Sequence, residues 1–331
     1  MRRIVSRAPA RVDLAGGSLD LWPVGLLVKQ SMTVNAAISL AATVTLEESG
    51  GEGVLLKSID LNKSYRWFED SPPGKLSLVE RLLGHFGVTG GWTVVTRSDA
   101  PAGSGLGGSS SLAVALSFAL AVAAARPLGE EAAVSLCRDI EAMELGMPTG
   151  VQDHWPAVKG GILALSYAAG ATSVEVLDIP LKELAERLVV VYSGKSRLSA
   201  NSNWSLYRSI IEREGGRLKA LQGIAEVAVQ MRHALLHADF DTAGLLLGEE
   251  MALRKGLSKE ISTPHIEHLI SAAMESGAVG GKVCGAGGGG CLVFIVSPGR
   301  RTAVEEALER LGATILAAHP VERGCQVEVQ N

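Results

Sequence analysis

Between a strand-like segment, Trp92 to Arg97, and an apolar run beginning at Leu112 stands the stretch Pro101-Ala102-Gly103-Ser104-Gly105-Leu106-Gly107-Gly108-Ser109-Ser110-Ser111. From Gly103 to Gly108, every residue except Leu106 is glycine or serine, so Leu106 alone can serve a core. A loop this bare lets backbone N–H groups approach a ligand closely. A helix expected to start near Ser109 adds its unpaired N–H groups and the positive end of its dipole. Strand, anion cradle and helix are the frame into which the other segments must fit. A plain glycine-rich turn has the same composition, and only the rest of the chain decides between the two.

Residues 2 to 8 and Val12 to Ala15 read as strands around a segment in which Arg11, Asp13 and Asp20 are charges among small and apolar residues, and Gly16-Gly17 breaks the strand. Thr33 to Glu48 is apolar and β-branched enough for one long strand, with Val54 to Ile59 as a partner. Leu78, Leu82, Leu83 and Phe86 predict an amphipathic helix over 76–86. After the glycine loop come a buried helix, Leu112 to Ala125, and a second helix, Glu130 to Leu145, which runs into a Gly/Pro turn carrying Asp153. Strands follow at Ile162 to Ser166 and Leu188 to Tyr192, the latter ending in Ser193-Gly194-Lys195-Ser196-Arg197. Helices over 214–237, 239–256 and 264–276 lead to a second glycine run, Lys282 to Cys291, closed by the strand Leu292 to Val296. A helix from Arg301 to Leu311 and a final strand pair, Thr314 to Ala317 with Gln326 to Val329, complete the chain. The pattern predicts an α+β fold in two domains: 1–160 with a mixed sheet and the glycine loop, and 161–331, richer in helix.

Composition narrows the partners. With 47% hydrophobic and 20% charged residues over 331 positions, the chain is globular. A net charge of −4 and the absence of any basic block argue against nucleic acid. The longest apolar run falls short of the ~20 residues that span a bilayer, and the N-terminus MRRIVSRAP has no apolar signal core. Four cysteines without a CxxC pair suit reduced thiols. His265 and His268 lie close together without an accompanying Cys or Glu ligand set, which gives no zinc site. The expectation is a cytoplasmic protein, monomer or homodimer, acting on a small molecule.

Two familiar glycine patterns fail. Gly103, Gly105 and Gly108 formally satisfy GxGxxG, but a dinucleotide fold needs an acid at a strand end ~20 residues on, and Leu128 to Ala133 reads as a helix start. Gly194-Lys195-Ser196 ends like a Walker A loop, yet its first glycine would fall on Val189. Phosphoryl transfer asks for donors around phosphates, a bridging metal and a group to orient the attacking hydroxyl. The chain offers backbone N–H groups from residues 103 to 109, a hydroxyl and a carboxylate such as Ser109 and Glu141 for Mg²⁺, and Asp153 as base.

The segments RAPARVDLAGG, PAGSGLGGSSS, GMPTGVQD and KVCGAGGGG, in this order along the chain, resemble the four signature regions of the GHMP kinases, and the resemblance spans residues 7 to 296. The resemblance implies an ATP- and Mg²⁺-dependent sugar kinase. Pro101, Gly103, Ser104, Gly105, Leu106, Gly107, Gly108, Ser109 and Ser110 would wrap the nucleotide phosphates, with Ser109 and Glu141 on the metal. Asp153 would accept or orient the acceptor hydroxyl beside Arg11. Asp20, Gly16, Gly17, Gly287 and Gly288 would lie on the substrate side, and Lys195 and Arg197 would take a distal phosphate. The galactokinase segment GEHTDY is replaced by GGSLDLW, and the AGG-x-x-D form with GGKVCGAGGGG and SGKSR is more similar to heptose 7-phosphate kinases and, less closely, fucokinases. The implied reaction is γ-phosphoryl transfer to a hydroxyl, the anomeric one first, of a manno-configured sugar or sugar phosphate. A galactokinase, fucokinase or other small-alcohol kinase, and a catalytically silent sensor on the same fold, are the alternatives.

Overall fold

The computed structural model describes residues 2–195, 200–212 and 216–330. The chain opens with β1 (Arg3–Ala15) and β2 (Met32–Glu48), a long antiparallel pair, followed by the hairpin β3 (Val54–Ser58) and β4 (Lys63–Trp67). Helix α1 (Ser77–Phe86) ends at Gly87, whose backbone N–H reaches Gly84 and Leu83 carbonyls. Then come β5 (Trp92–Ser98), α2 (Gly108–Ala123), α3 (Glu130–Leu145), the short α4 (His154–Lys159), β6 (Ile162–Ala168) and β7 (Ala171–Leu177). The remainder is α5 (Leu181–Arg187), β8 (Leu188–Tyr192), α6 (Ala200–Ile211), α7 (Arg217–Leu236), α8 (Phe240–Leu257), α9 (Pro264–Ser276), β9 (Ala278–Val283), β10 (Cys291–Val296), α10 (Arg301–Arg310), β11 (Thr314–Leu316) and β12 (Gln326–Gln330).

Eight strands form one mixed sheet, β12-β1-β2-β5-β3-β4, extended by β6 and β7. The length of β2 makes this possible: its residues 42–48 pair with β5 and its residues 32–36 pair with β6. The pairing of β3 with β5 is parallel. A second, antiparallel sheet runs β11-β8-β10-β9.

Three apolar clusters hold these layers. Ile4, Val44 and Val94 of the large sheet pack on Leu82, Leu116 and Leu120 of α1 and α2. A middle cluster joins Val12, Leu14 and Val34 to Val190 and Val293 of the small sheet and to Met231 and Leu247 of α7 and α8. On the far face of the small sheet, Val189 and Phe294 meet Leu269, Val304 and Leu308 of α9 and α10. Each such buried aliphatic side chain contributes roughly 1.5–3 kcal/mol. The middle cluster fuses the two sheets, and the site described below lies on its edge.

Several expectations change. Residues 3–15 make one strand with two register shifts, so Arg11 and Asp13 are buried charges inside a sheet. The two final strands do not pair: β11 adds to β8 in the small sheet and β12 adds to β1 in the large one. Strands β6, β7 and β12, which follow residue 160, all belong to the large sheet. Strands β4, β7 and β9 and helices α4, α5 and α6 are additions that the sequence pattern does not announce. For β9 the reason is local: Gly280-Gly281 sits in a strand because Gly244 of α8 and the Phe294 ring press directly on its backbone.

Candidate active site

The glycine-rich loop links β5 to α2, and Gly107 caps the helix in a left-handed conformation, φ 72°. Its rear surface rests on the second glycine run. A Cβ at Gly105 would stand 2.6 Å from the Cys284 carbonyl oxygen, and the Cys291 N–H donates to the Ser104 carbonyl at 2.8 Å. Backbone thus packs on backbone, which leaves the front of the loop and the first turn of α2 facing a cavity of about 680 Å³. Pro101, Gly103, Ser104, Gly105, Gly107, Gly108, Ser109 and Ser110 line it. Leu106 does not: its side chain is fully buried in the middle cluster, and its carbonyl accepts the Arg11 backbone N–H at 2.9 Å.

Strand β1 carries Arg11 to the floor of this cavity. The guanidinium donates to Asp153 Oδ1 from Nε at 2.9 Å and from Nη2 at 2.5 Å, and from Nη1 to the Gly105 carbonyl at 2.6 Å. Burial alone would lower the Arg11 pKa, but Asp153 and Asp13 raise it, so the cation is permanent. Asp153 remains open to the cavity and sits against Gly107. Asp20 faces it. Gln152 donates to Asp20 from its backbone N and its side-chain Nε2, both at 3.1 Å. Burial and the charge of Asp153 push the Asp20 carboxyl up to about 6.

Glu141, on α3, is the second acid expected at the site. Ser110 donates to its Oε2 at 2.9 Å, Ser109 also hydrogen-bonds it, and His154 Nε2 lies 2.9 Å from the same oxygen. Burial opposes ionisation of Glu141, yet the His154 charge and these hydrogen bonds hold it below the usual range; Glu141 in turn raises buried His154. The donor set of Ser109, Ser110 and Glu141 is all oxygen. Among the described residues no group of three or more His, Cys, Asp or Glu could hold a metal ion unaided. Such a set suits Mg²⁺, a hard cation that takes one or two carboxylates and completes its shell with phosphate oxygens and water.

Other expected residues stand further back. The Gly16 N–H donates to Glu250 Oε2 at 2.8 Å, behind the wall that Gly17 lines. Gly287 packs on Ile261 and the Gly288 N–H donates to the Ile261 carbonyl, so both support the cavity wall without lining it. Lys195 is exposed and does not line the cavity; its carbonyl accepts the Gly290 N–H at 2.7 Å. Arg197 lies outside the described residues.

The sequence pattern passes over a second charged group. Asp13 of β1, Glu250 and Arg254 of α8 and Lys282 of β9 meet with side chains at most 5% exposed. Lys282 Nζ lies 2.6 Å from Glu250 and 3.1 Å from Asp13, and Arg254 Nη1 lies 3.2 Å from Asp13. Burial works against ionised Asp13, but Lys282, Arg254 and Arg11 outweigh it and hold the carboxyl low; burial raises Glu250. Spacing of four residues places Glu250 and Arg254 on one helix face, which was the available signal.

A phosphate cradle, an Arg-paired aspartate and an oxygen donor set on one cavity form the layout of a phosphoryl-transfer enzyme. Comparison with known proteins identifies which kind. Residues 76–161 match the model of the GHMP kinases N terminal domain, and residues 231–314 match that of the GHMP kinases C terminal. A D-glycero-alpha-D-manno-heptose 7-phosphate kinase of Campylobacter jejuni is 31% identical over 334 residues, 94% of either chain. The chain belongs to the GHMP kinase family. As a GHMP kinase it is an ATP-dependent phosphotransferase with an alcohol group as acceptor. The crystal structure of a D-glycero-D-manno-heptose 1-phosphate kinase from Bacteroides thetaiotaomicron superposes with a TM-score of 0.79, 26% identity and 98% coverage of both chains. Lactococcus lactis galactokinase complexed with galactose shares the GHMP fold, with a TM-score of 0.80 at 18% identity over 98% of this chain and 95% of that one. Among the described residues no helix is long and apolar enough to cross a membrane.

Proposed function

We propose that this GHMP kinase is a sugar kinase that transfers the ATP γ-phosphoryl group to the anomeric hydroxyl of a manno-configured sugar phosphate, D-glycero-D-manno-heptose 7-phosphate being the leading acceptor. The Arg11–Asp153 pair, held at the mouth of the glycine loop with Asp20 opposite, is the observation that carries this reading. Support for the heptose comes from the Campylobacter jejuni relative and from the residues GGSLDLW in place of the galactokinase pattern.

Backbone N–H groups of residues 103–109 and the start of α2 bind the nucleotide phosphates. Asp153 orients the acceptor hydroxyl and takes its proton as the oxygen bonds to the γ-phosphorus and the bond to the β-phosphate oxygen breaks, releasing ADP. Arg11 keeps Asp153 aimed and offsets the negative charge that gathers there. Asp20, with Gln152, holds sugar hydroxyls on the far side. Ser109 and Glu141 would hold Mg²⁺, which neutralises phosphate charge when bound, and Ser110 and His154 keep Glu141 ionised for it.

ADP release across a panel of sugars and sugar phosphates tests the assignment. The heptose 7-phosphate is expected to give the highest kcat/KM. Galactose, fucose or mevalonate outrunning it would overturn the acceptor while leaving the kinase chemistry in place.

A further inference from the structure

Burying two cations with two carboxylates is costly, and well-packed apolar residues usually hold a core at least as well. The Asp13–Glu250–Arg254–Lys282 cluster therefore calls for a reason beyond stability. Its inner members, Glu250 and Lys282, are fully sealed, whereas Asp13 and Arg254 reach the cavity wall beside Gly17 and Asp20. A Cβ at Gly17 would stand 2.5 Å from Arg254 Nη1 and 2.7 Å from Asp13 Oδ2, so a bare backbone is what lets this wall close on the pair. The guanidinium is fixed by Asp13, by Glu250 at 3.7 Å and by the Gly285 carbonyl. It is pre-organised, and both halves of the chain contribute to holding it.

Buried polar atoms in folded proteins almost always have a hydrogen-bond partner. On this wall three do not: Asp13 Oδ1, Gln152 Oε1 and Arg254 Nε. The first two require a donor and the third an acceptor. A phosphate dianion offers acceptors only, and it would also meet a cluster whose two cations are already matched by two carboxylates. A polyol satisfies all three, because each hydroxyl both donates and accepts. The other such atoms on the cavity wall among the described residues are the two ring nitrogens of His154, of which Nε2 lies 2.9 Å from Glu141.

We propose that Arg254, presented from α8 by Asp13 and Glu250, is an acceptor-recognition residue that hydrogen-bonds a hydroxyl of the bound sugar. This rests on the sugar-kinase reading above. Arg254→Met and Arg254→Lys, assayed in the full chain with D-glycero-D-manno-heptose 7-phosphate, are the variants to make. Both are expected to raise the acceptor KM, Met by about ten- to hundredfold and Lys by less, with ATP KM and Kd within about twofold of wild type. The Ki of unphosphorylated D-glycero-D-manno-heptose as a competitor should rise by the same factor, since the contact is to a hydroxyl. An unchanged acceptor KM in the Lys variant, which keeps the buried charge and the fold, overturns the proposal. So does an equal rise in both substrates' KM, which marks a purely structural residue, or an effect confined to the phosphorylated sugar. Wild-type enzyme that releases ADP with no sugar breaks the functional reading instead, and this inference falls with it.

Discussion

Two ionic groups built from neighbouring residues of β1 behave differently. Arg11 faces forward, and its partner Asp153 keeps 29% of its side chain open to the cavity. Asp13, two residues on, points to the same side of the strand but is drawn backward into the sealed group with Glu250 and Lys282. The forward pair leaves one acid open to the cavity, which suits the proposed exchange of its partner for a substrate hydroxyl. The rear group has each charge tied to two others and to backbone at Gly16 and Gly285, so it fixes loops and moves no proton. Adjacent charges on one strand are thus divided between chemistry and placement by the elements that pack on them.

The largest effect expected from this division is on turnover. Asp153→Asn keeps the side-chain shape and removes the proton acceptor, and kcat should fall by roughly 10²–10⁴-fold while the Kd for ATP stays near the wild-type value. Single-turnover kinetics with equilibrium nucleotide binding checks both halves. Wild-type turnover in this variant would erase the distinction between the two groups. Glu250→Ala makes the opposite prediction. It leaves buried Lys282 and Arg254 to share the single carboxylate of Asp13 and frees the Gly16 N–H, so urea denaturation should show a loss of about 3–5 kcal/mol. Asp153→Asn should cost less stability, because Arg11 retains the Gly105 carbonyl and the nearby Asp13 charge. A larger stability loss in Asp153→Asn than in Glu250→Ala would reverse the comparison.

Legibility followed the same division. The loop 101–111, Glu141 and Asp153 could be picked out locally, because glycines bare a backbone and an acid in a Gly/Pro turn stands out from its neighbours, whereas the roles expected of Arg11 and Asp20 came from the family resemblance. The structure brings these onto one cavity. The rear group could not be read, since Asp13, Glu250 and Lys282 lie on three separate elements, with Asp13 more than 200 residues before the other two, and nothing local in the sequence pairs them. His154 was hidden likewise, because its meaning depends on Glu141 folding back from α3. The two glycine runs looked alike, yet 103–108 opens to the cavity and 287–288 backs onto Ile261, a difference set only by what packs against each. In the fold, long strands and amphipathic helices were legible from period. The return of β12 to the first sheet was not, because strand pairing across the whole chain leaves no local trace.

The smallest predicted effect lies between the two groups, at Asp20, and it is readable through pH. Its carboxyl titrates at about 6 in the folded protein against an ordinary 3.8, because burial and the Asp153 charge favour the neutral form. The stability this raised value provides is fully present below the ordinary pKa and is lost as pH rises through about 6. Asp20→Asn removes that dependence, so the variant should gain in melting temperature relative to wild type at pH 7.5 and lose the advantage at pH 4. Acceptor binding runs the other way: the ionised form is the better acceptor of sugar hydroxyls, so wild-type acceptor KM should rise by about threefold or more as pH falls through 6. In Asp20→Asn the acceptor KM should be higher throughout and flat over this window, with ATP KM unchanged. A wild-type acceptor KM that is flat between pH 5 and 7 would place Asp20 with the sealed residues Glu250 and Lys282, as a residue that shapes the site without touching the sugar.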